Sequence, residues 1–445
     1  MGQVSSNAIS APPPGDAGLP RLIGQGQEKN LHPGFSVCIQ NMDQIHMAYG
    51  VGAARAASDH VRTFMKFVLR GKDQSGLAEY VLRQLNEHPV TYDGQRFHLT
   101  ASLAPTSDAG GCAIIASTVH GNPAFPDDAW CRCYRADMAL AVTLFEAMAD
   151  GRLALAWQPV RNADDPSQIL YHECLLRIVN PQAGNADDAA QPAGEMVEAL
   201  ERLGLIRVLD RHVMALAIAE LRIDASRKLG INISAMSLVD DHWWGESLTA
   251  LAQSPLLARG LYIEITETAP MRSVSEAADF IGKLRRFGCQ IVLDDFGTGH
   301  AAMRSILTLS PDVVKIDKFF VHHAKASPTG RRTLAHLIGL VESFGAIAIV
   351  EGIESAADQT LVREAGARWQ QGYHLGRPSL SRPWRLKEIS SLSPEADAVP
   401  DSRGEALMAD VADLPGPDLL RNAPKLAEPA FLPRQIIPAR VGAQG

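Results

Sequence analysis

Residues 290–299 read Gln-Ile-Val-Leu-Asp-Asp-Phe-Gly-Thr-Gly. A short apolar run ends in two adjacent carboxylates and then in a turn with two glycines, the pattern of a buried strand that delivers polar groups at its end. Outward from it the pattern recurs. Between Leu153 and Pro383, the β-rich runs Leu153–Trp157, Tyr171–Leu176, Gly230–Ile233, Leu261–Thr266, Gln290–Leu293, Val313–Ile316 and Ala346–Val350 alternate with longer amphipathic stretches. Among these are Gly194–Leu203, Leu209–Leu221, Ser275–Phe287 and Thr333–Phe344. Repeated strand–helix units over roughly 230 residues predict an α/β fold of the TIM-like (β/α)8 barrel type.

In or just after successive runs stand Glu173, Asn232, Glu264, Asp294-Asp295, Asp317 and Glu351. In a barrel such positions converge at the C-terminal mouth, where the sites of this architecture lie. So many carboxylates repel one another and raise their own pKa values unless a cation intervenes. Oxygen donors select Mg²⁺ or Mn²⁺ over zinc. Side chains alternate along a strand, so Asp294 and Asp295 address two metals only if the second leaves strand geometry; Gly297 and Gly299 are read as supplying that freedom. Two such ions can activate a water and stabilise the oxygens of an in-line phosphoryl displacement. Lys315, two residues before Asp317, is expected to share its direction on one strand, and to orient the nucleophile or neutralise transition-state charge.

Along this whole region the chain carries Gln158-Pro159-Val160, then Glu173-Cys174-Leu175-Leu176-Arg177. Asn232-Ile233-Ser234, Glu264-Ile265-Thr266-Glu267 and Asp294-Asp295-Phe296-Gly297-Thr298-Gly299 follow. Lys315-Ile316-Asp317, Glu351-Gly352-Ile353-Glu354 and Gln371-Gly372-Tyr373 complete the series. In these motifs the chain resembles the EAL-domain family of cyclic di-GMP phosphodiesterases, whose signature Glu-Ala-Leu stands at Glu173-Cys174-Leu175. The resemblance implies a TIM-like barrel with one antiparallel strand, two Mg²⁺ or Mn²⁺ ions per active site, and hydrolysis of cyclic di-GMP to linear pGpG. It implies that Glu173, Asn232, Glu264, Asp294, Asp295 and Glu351 are the metal ligands. Lys315 becomes the catalytic lysine, with Glu351 organising the nucleophilic water and Glu173 completing the catalytic set. Gln158, Arg177 and Gln371 fall where the family meets substrate or its water, and Glu267 where it anchors the loop after the aspartate pair. That loop also contributes to a homodimer contact through the barrel.

Two departures stand out. Cys174 replaces the signature alanine, small for small. After Gly299 the family's Tyr-Ser-Ser-Leu reads His300-Ala301-Ala302-Met303. The altered loop supports a second expectation from another class: a catalytically weak cyclic di-GMP receptor or a protein-interaction scaffold.

Residues 33–135 show a different pattern. Phe35–Ile39, the helix-like Ile45–Phe67 and Gly76–Leu85, and the strand-like Phe97–Leu103 and Ala113–Ser117 predict a small α+β domain ahead of the barrel. A helix from Tyr134 to about Asp150 leads into the barrel region, 136–387. Asp43–Val51 and Leu99–Leu103 bear a fainter likeness to the GGDEF-domain (diguanylate cyclase) family. The family's guanine-holding Asn and Asp would be His46 and Met47, and the Gly-Gly-Asp-Glu-Phe turn is absent. The likeness implies a degenerate, non-catalytic regulatory or dimerisation domain, answering to an unknown regulatory partner. Residues 1–32, rich in Pro, Gly and Ser, and the proline-bearing tail 388–445 read as mostly disordered.

Composition sets outer bounds. A chain of 445 residues, 46% hydrophobic and 21% charged, is neither disordered throughout nor fibrous. A net charge of -8 argues against binding a long nucleic acid through a basic surface. It leaves room for cyclic di-GMP, a small anion that metal ions can hold. The six cysteines form no disulfide framework, and Cys131-x-Cys133 lacks the second pair or histidines of a zinc site. With no signal-peptide pattern and no apolar stretch long enough to span a membrane, a cytoplasmic protein is expected.

Overall fold

A computed structural model describes residues 35–68, 77–105, 115–116, 127–180, 190–266, 273–297 and 302–382. The first region contains β1 (Phe35–Ile39), α1 (Met42–Tyr49), α2 (Val51–Val68), α3 (Leu77–Glu87), the hairpin β2 (Val90–Tyr92) and β3 (Gln95–Phe97), then β4 (Ala101–Pro105) and β5 (Ile115–Ala116). β1 pairs antiparallel with β4 and parallel with β5, and the helices complete a small α+β domain. The single helix expected over 45–67 is two helices, broken at Gly50, whose φ of 90 ends the first. The single strand expected over 97–103 is also two, parted by His98–Thr100. His98 is fully buried there, with Nδ1 at 3.0 Å from the Asn86 carbonyl.

The long helix α4 (Asp128–Ala149) starts at Asp127, whose carboxylate accepts from the Trp130 amide at 2.7 Å. It begins earlier than the periodicity showed. Beyond it run β6 (Leu153–Asn162), β7 (Ile169–Val179), the short β8 (Ala190–Pro192), β9 (Leu229–Ile233), β10 (Leu261–Thr266), β11 (Gln290–Phe296), β12 (Val313–Ile316), β13 (Ile347–Val350) and β14 (Trp369–Gln370). Helices α5 (Gly194–Leu203), α6 (Ile206–Ile223), α7 (Gly245–Gln253), α8 (Pro255–Arg259), α9 (Val274–Phe287), α10 (Ala302–Leu309), α11 (Lys318–Ala326), α12 (Pro328–Ser343) and α13 (Ala356–Glu364) lie between them. The strands close in the order β6-β14-β13-β12-β11-β10-β9-β7, with β7 returning to β6 and β8 added beside β7. β6 runs antiparallel to both neighbours and the other barrel strands are mutually parallel. The fold is therefore the expected TIM-like barrel with one antiparallel strand, preceded by a small α+β domain.

The barrel interior is built in two layers that the strand period of two dictates. The lower layer is apolar: Val160, Tyr171, Tyr262, Val292, Val313 and Ile349 are buried together, with Trp369 packed against them. Two residues further along each parallel strand, on the same face, stand Glu173, Glu264, Asp294, Lys315, Glu351 and Gln371. On the antiparallel β6 the order reverses, and Gln158 precedes Val160. The apolar layer plugs the barrel and the polar layer forms the floor of its mouth.

The small domain docks on the α5–α6 side. Thr100 Oγ1 donates to the Leu203 carbonyl at 3.2 Å, and Arg202 forms a two-pronged pair with Asp137 of α4 at 2.9 Å. Arg211 of α6 reaches Glu87 of α3 at 2.5 Å. A single apolar core runs from α1 and α2 through α4 to the barrel helices. The five described cysteines are free thiols, and Cys112 lies outside the described residues. Among the described residues no helix is long and apolar enough to cross a membrane. The expectations for residues 1–32 and 388–445 fall outside the described residues.

Candidate active site

At the centre of the mouth stands Lys315, 1% exposed. Its Nζ lies 2.8 Å from Glu264, 2.8 Å from Glu351, 3.2 Å from Glu173 and 3.2 Å from Asp294. The sequence-read residues thus meet around one ammonium. Glu173 is further held by Asn232, whose side-chain amide donates at 2.9 Å, and by Gln371, whose amide donates at 2.6 Å. Gln158 pairs with Glu173 across β6 and β7, and its amide donates to the Gly376 carbonyl at 3.2 Å. Arg177 lies four residues beyond Glu173 on the same face of β7. Burial lowers its guanidinium pKa, while Tyr373 and Glu173 act to raise it. Glu267 and the 298–301 part of the loop lie outside the described residues.

The two adjacent aspartates separate as expected, by a different device. β11 slips register against β12 between Leu293 and Phe296, and Asp295 itself takes a φ of 54, a left-handed conformation uncommon for a residue other than glycine. The bulge sends the Asp295 side chain off the alternation, and Asp294 Oδ1 accepts from the Asp295 amide at 2.9 Å. The freedom expected from the glycines is shared by Asp295 and Gly297, whose φ is 97 and where a Cβ would meet the Phe320 ring; Gly299 lies outside the described residues. Asp317 has a further role beside the one expected. β12 ends at Ile316, and Asp317 caps α11 by accepting from the Phe319 amide at 2.8 Å, while its charge still helps to raise the Asp295 carboxyl.

The electrostatics follow from one cation among five carboxylates. Burial raises Glu264 well above the usual carboxylate range, and the Glu173 and Asp294 charges add to this against the pull of Lys315. Burial likewise raises Asp294, brings Asp295 to about 6 and Glu351 to about 8. Glu173 is the exception. Burial works against its charge, but Lys315 with the Asn232 and Gln371 amides holds it below the usual range. Lys315 is pushed well above its usual value by these carboxylates despite its burial, and so carries its proton.

This donor set fits divalent cations. Oxygens of Glu173, Glu264 and Asp294 come within 4.8 Å of one another, and so do oxygens of Asp294, Asp295 and Glu351. Asp294 belongs to both groups. Glu264 Oε1 and Gln371 Oε1 are buried with no hydrogen-bond donor among the described residues. The excess of negative oxygen over ammonium is what a hard cation would relieve.

Two contributors went unread in the sequence. A Cβ on Gly230 would come within 2.1 Å of Glu264 Oε1 and 2.5 Å of the Tyr171 ring, so only glycine lets both side chains approach β9. Tyr171 stacks on Tyr262 with ring centroids 4.5 Å apart and supports the carboxylate layer from below. Its place two residues before Glu173 was the available signal.

Known proteins resemble the chain over the barrel region. The family model described as the EAL domain matches residues 141–378. The cyclic di-GMP phosphodiesterase NbdA of Pseudomonas aeruginosa is 25% identical over 327 residues, which are 68% of this chain and 40% of that protein. The cyclic di-GMP phosphodiesterase PdeF of Escherichia coli is 27% identical over 245 residues, 54% of this chain and 32% of that protein. The crystal structure of the FimX EAL domain from Pseudomonas aeruginosa bound to c-di-GMP is 27% identical, covering 55% of this chain and 97% of that one, with a TM-score of 0.47. The chain spans less than half the length of the curated relatives named. Since the family model takes in more than half of its residues, the chain belongs to the EAL-domain family.

Proposed function

We propose that residues 136–387 form a metal-dependent phosphodiesterase that hydrolyses cyclic di-GMP to linear pGpG, lowering that second messenger. The observation that carries this reading is the pair of acidic groups that share Asp294 around Lys315. Family membership and the activity named for NbdA and PdeF support it.

Glu173, Asn232, Glu264, Asp294, Asp295 and Glu351 are the residues that would hold two Mg²⁺ or Mn²⁺ ions. When bound, such ions activate water and stabilise charge on the phosphodiester oxygens. The chain's own residues do the rest. Lys315, protonated and fixed by its carboxylate ring, offsets negative charge developing on the phosphoryl group. Gln371 and Glu351 orient the attacking water, with Gln371 held in place by its bond to Glu173. Gln158 and Arg177 address the substrate from the β6 and β7 side, the guanidinium suiting an anionic or carbonyl oxygen. Glu267 anchors the loop that follows Asp295.

Residues 33–135 serve as a degenerate, GGDEF-like regulatory domain without chemistry of its own. It works in the cytoplasm, with an unidentified partner and a homodimer formed through the barrel. Incubation of the purified chain with cyclic di-GMP tests the reading: a chelator should stop pGpG formation, and Mn²⁺ or Mg²⁺ should restore it. Formation of pGpG at full rate in chelator contradicts it.

A further inference from the structure

Asn232 reaches Glu173 from a place where β9 is held on one side only. The ladder to β10 runs on to Ile233, but the ladder to β7 stops at Ile231, opposite Cys174. Beyond that point the strand end depends on the turn Ser234–Ser237, and two helices hold that turn. The Ser234 amide donates to Asp210 Oδ2 of α6 at 3.1 Å, and the Ser237 hydroxyl donates to the same oxygen. The Ser234 hydroxyl donates to Glu201 Oε1 of α5 at 2.7 Å. Asp210, Ser234 and Ser237 are all buried, so water does not readily replace these bonds.

The residue after each of these carboxylates is an arginine that grips an element ahead of the barrel. Glu201 precedes Arg202, which holds Asp137 of α4 at 2.9 Å, and Asp210 precedes Arg211, which holds Glu87 of α3 at 2.5 Å. Neighbouring residues on a helix point about 100° apart, so one stretch of backbone serves both the turn and the outer contact. Arg202 is half exposed and its pair contributes little. Arg211 and Glu87 are mostly buried, so the link through α6 carries the weight. Burial brings the Asp210 carboxyl up to about 8 against the two serine bonds. At neutral pH it is mostly the uncharged acid, whose shape and acceptor oxygen asparagine reproduces.

We propose that Asp210 and Glu201 are positioning residues that hold Asn232 against Glu173, and that the small domain acts on the metal site through the adjoining Arg211. Glu173, to which Asn232 donates at 2.9 Å, groups with Glu264 and Asp294 and not with Asp295 and Glu351. The device therefore governs one ion of the two. That selectivity rests on the proposed function, because it takes Glu173 as a metal ligand; the hold on Asn232 does not.

Two measurements on the full chain test the proposal: calorimetric Mn²⁺ titration, and the side-chain amide signal of Asn232 by NMR in chelator. Asp210→Ala should weaken one ion by roughly 10–100-fold, leave the other within twofold, and shift the Asn232 signal. Asp210→Asn keeps an acceptor and should stay within twofold of the wild type at both ions, with the signal in place. Should Asp210→Ala fail to fold, Glu201→Ala, at a less buried position, should weaken the same ion at least threefold. Arg211→Met should also weaken that ion at least threefold and move the Asn232 signal. Equal losses at both ions, an unshifted signal in Asp210→Ala, or an Asp210→Asn no better than Asp210→Ala overturns the positioning role. An unchanged ion in Arg211→Met overturns the link to the small domain. A wild type that binds no Mn²⁺ contradicts the proposed function. The signal in chelator then decides alone: a shift in Asp210→Ala sustains the hold on Asn232, and no shift overturns it.

Discussion

Lys315 Nζ lies 2.8 Å from Glu264 Oε2, and both residues are shut off from solvent, Glu264 completely. A buried ammonium is paired with a carboxylate that burial and its acidic neighbours push toward neutrality. Removing one partner of such a pair costs more than the pair itself is worth, about 3–5 kcal/mol, because the other charge is stranded. Lys315→Ala should therefore destabilise the metal-free barrel by about that amount. Mn²⁺ should return much of the loss by replacing the missing positive charge. Urea unfolding in chelator and in Mn²⁺ reads both effects; equal midpoints for wild type and variant in chelator contradict the pairing.

Asp294 belongs to both acidic groups, whereas Asp295 belongs to one. Calorimetric titration with Mn²⁺ should show two ions on the wild type, one on Asp295→Ala, and strongly weakened binding of both on Asp294→Ala. Each ion bound should raise the wild-type stability by about 2.7 kcal/mol at a hundredfold excess over its Kd. The same stoichiometry in both variants would exclude a shared ligand.

Gly230 keeps its place by what it lacks. In Gly230→Ala the new methyl meets Glu264 and Tyr171, with a stability loss of roughly 1–3 kcal/mol expected from overpacking. Turnover should fall at least tenfold through displacement of Glu264. Gly339→Ala is the control, since nothing lies within 4 Å of a Cβ there and the residue sits within α12. It should stabilise by about 0.5–1 kcal/mol. Comparable losses in the two variants would mean that helix and strand backbone effects, not the close approach, decide the result.

His98 supplies a pH dependence away from the metal site. Burial lowers its pKa to about 4. The unfolded chain titrates near 6.5, so between those values the unfolded state alone takes up the proton. Stability from this group is full above about 6.5 and falls as pH drops toward 4, at roughly 1.4 kcal/mol per pH unit. Urea midpoints of wild type and His98→Gln between pH 6 and 5 should differ in slope by that one proton. Parallel slopes would show that His98 is protonated in the fold.

Much of this site could be read before any coordinates because a parallel barrel repeats one rule. Each strand places an apolar residue and then, two positions on, a polar one, and the runs that carry Glu264 and Lys315 follow it. What escaped was not periodic. β14 is two residues long, too short to carry a period, so Gln371 came only through the family resemblance. The capping role of Asp317 escaped because the end of β12 cannot be told from its continuation by alternation alone. The bulge at Asp295 is a backbone event, and the crowding at Gly230 depends on residues brought together from β7 and β10. Composition along the chain carries neither.

The central claim is that the residues meeting at Lys315 hydrolyse cyclic di-GMP, and chromatography of the products made by wild type and Glu351→Ala with Mn²⁺ tests it most directly. The account predicts pGpG from the wild type and at least a hundredfold less from Glu351→Ala, with the variant still folded. Equal product from both, or none from a wild type that binds cyclic di-GMP saturably, would contradict it, and the second result would make the barrel a receptor.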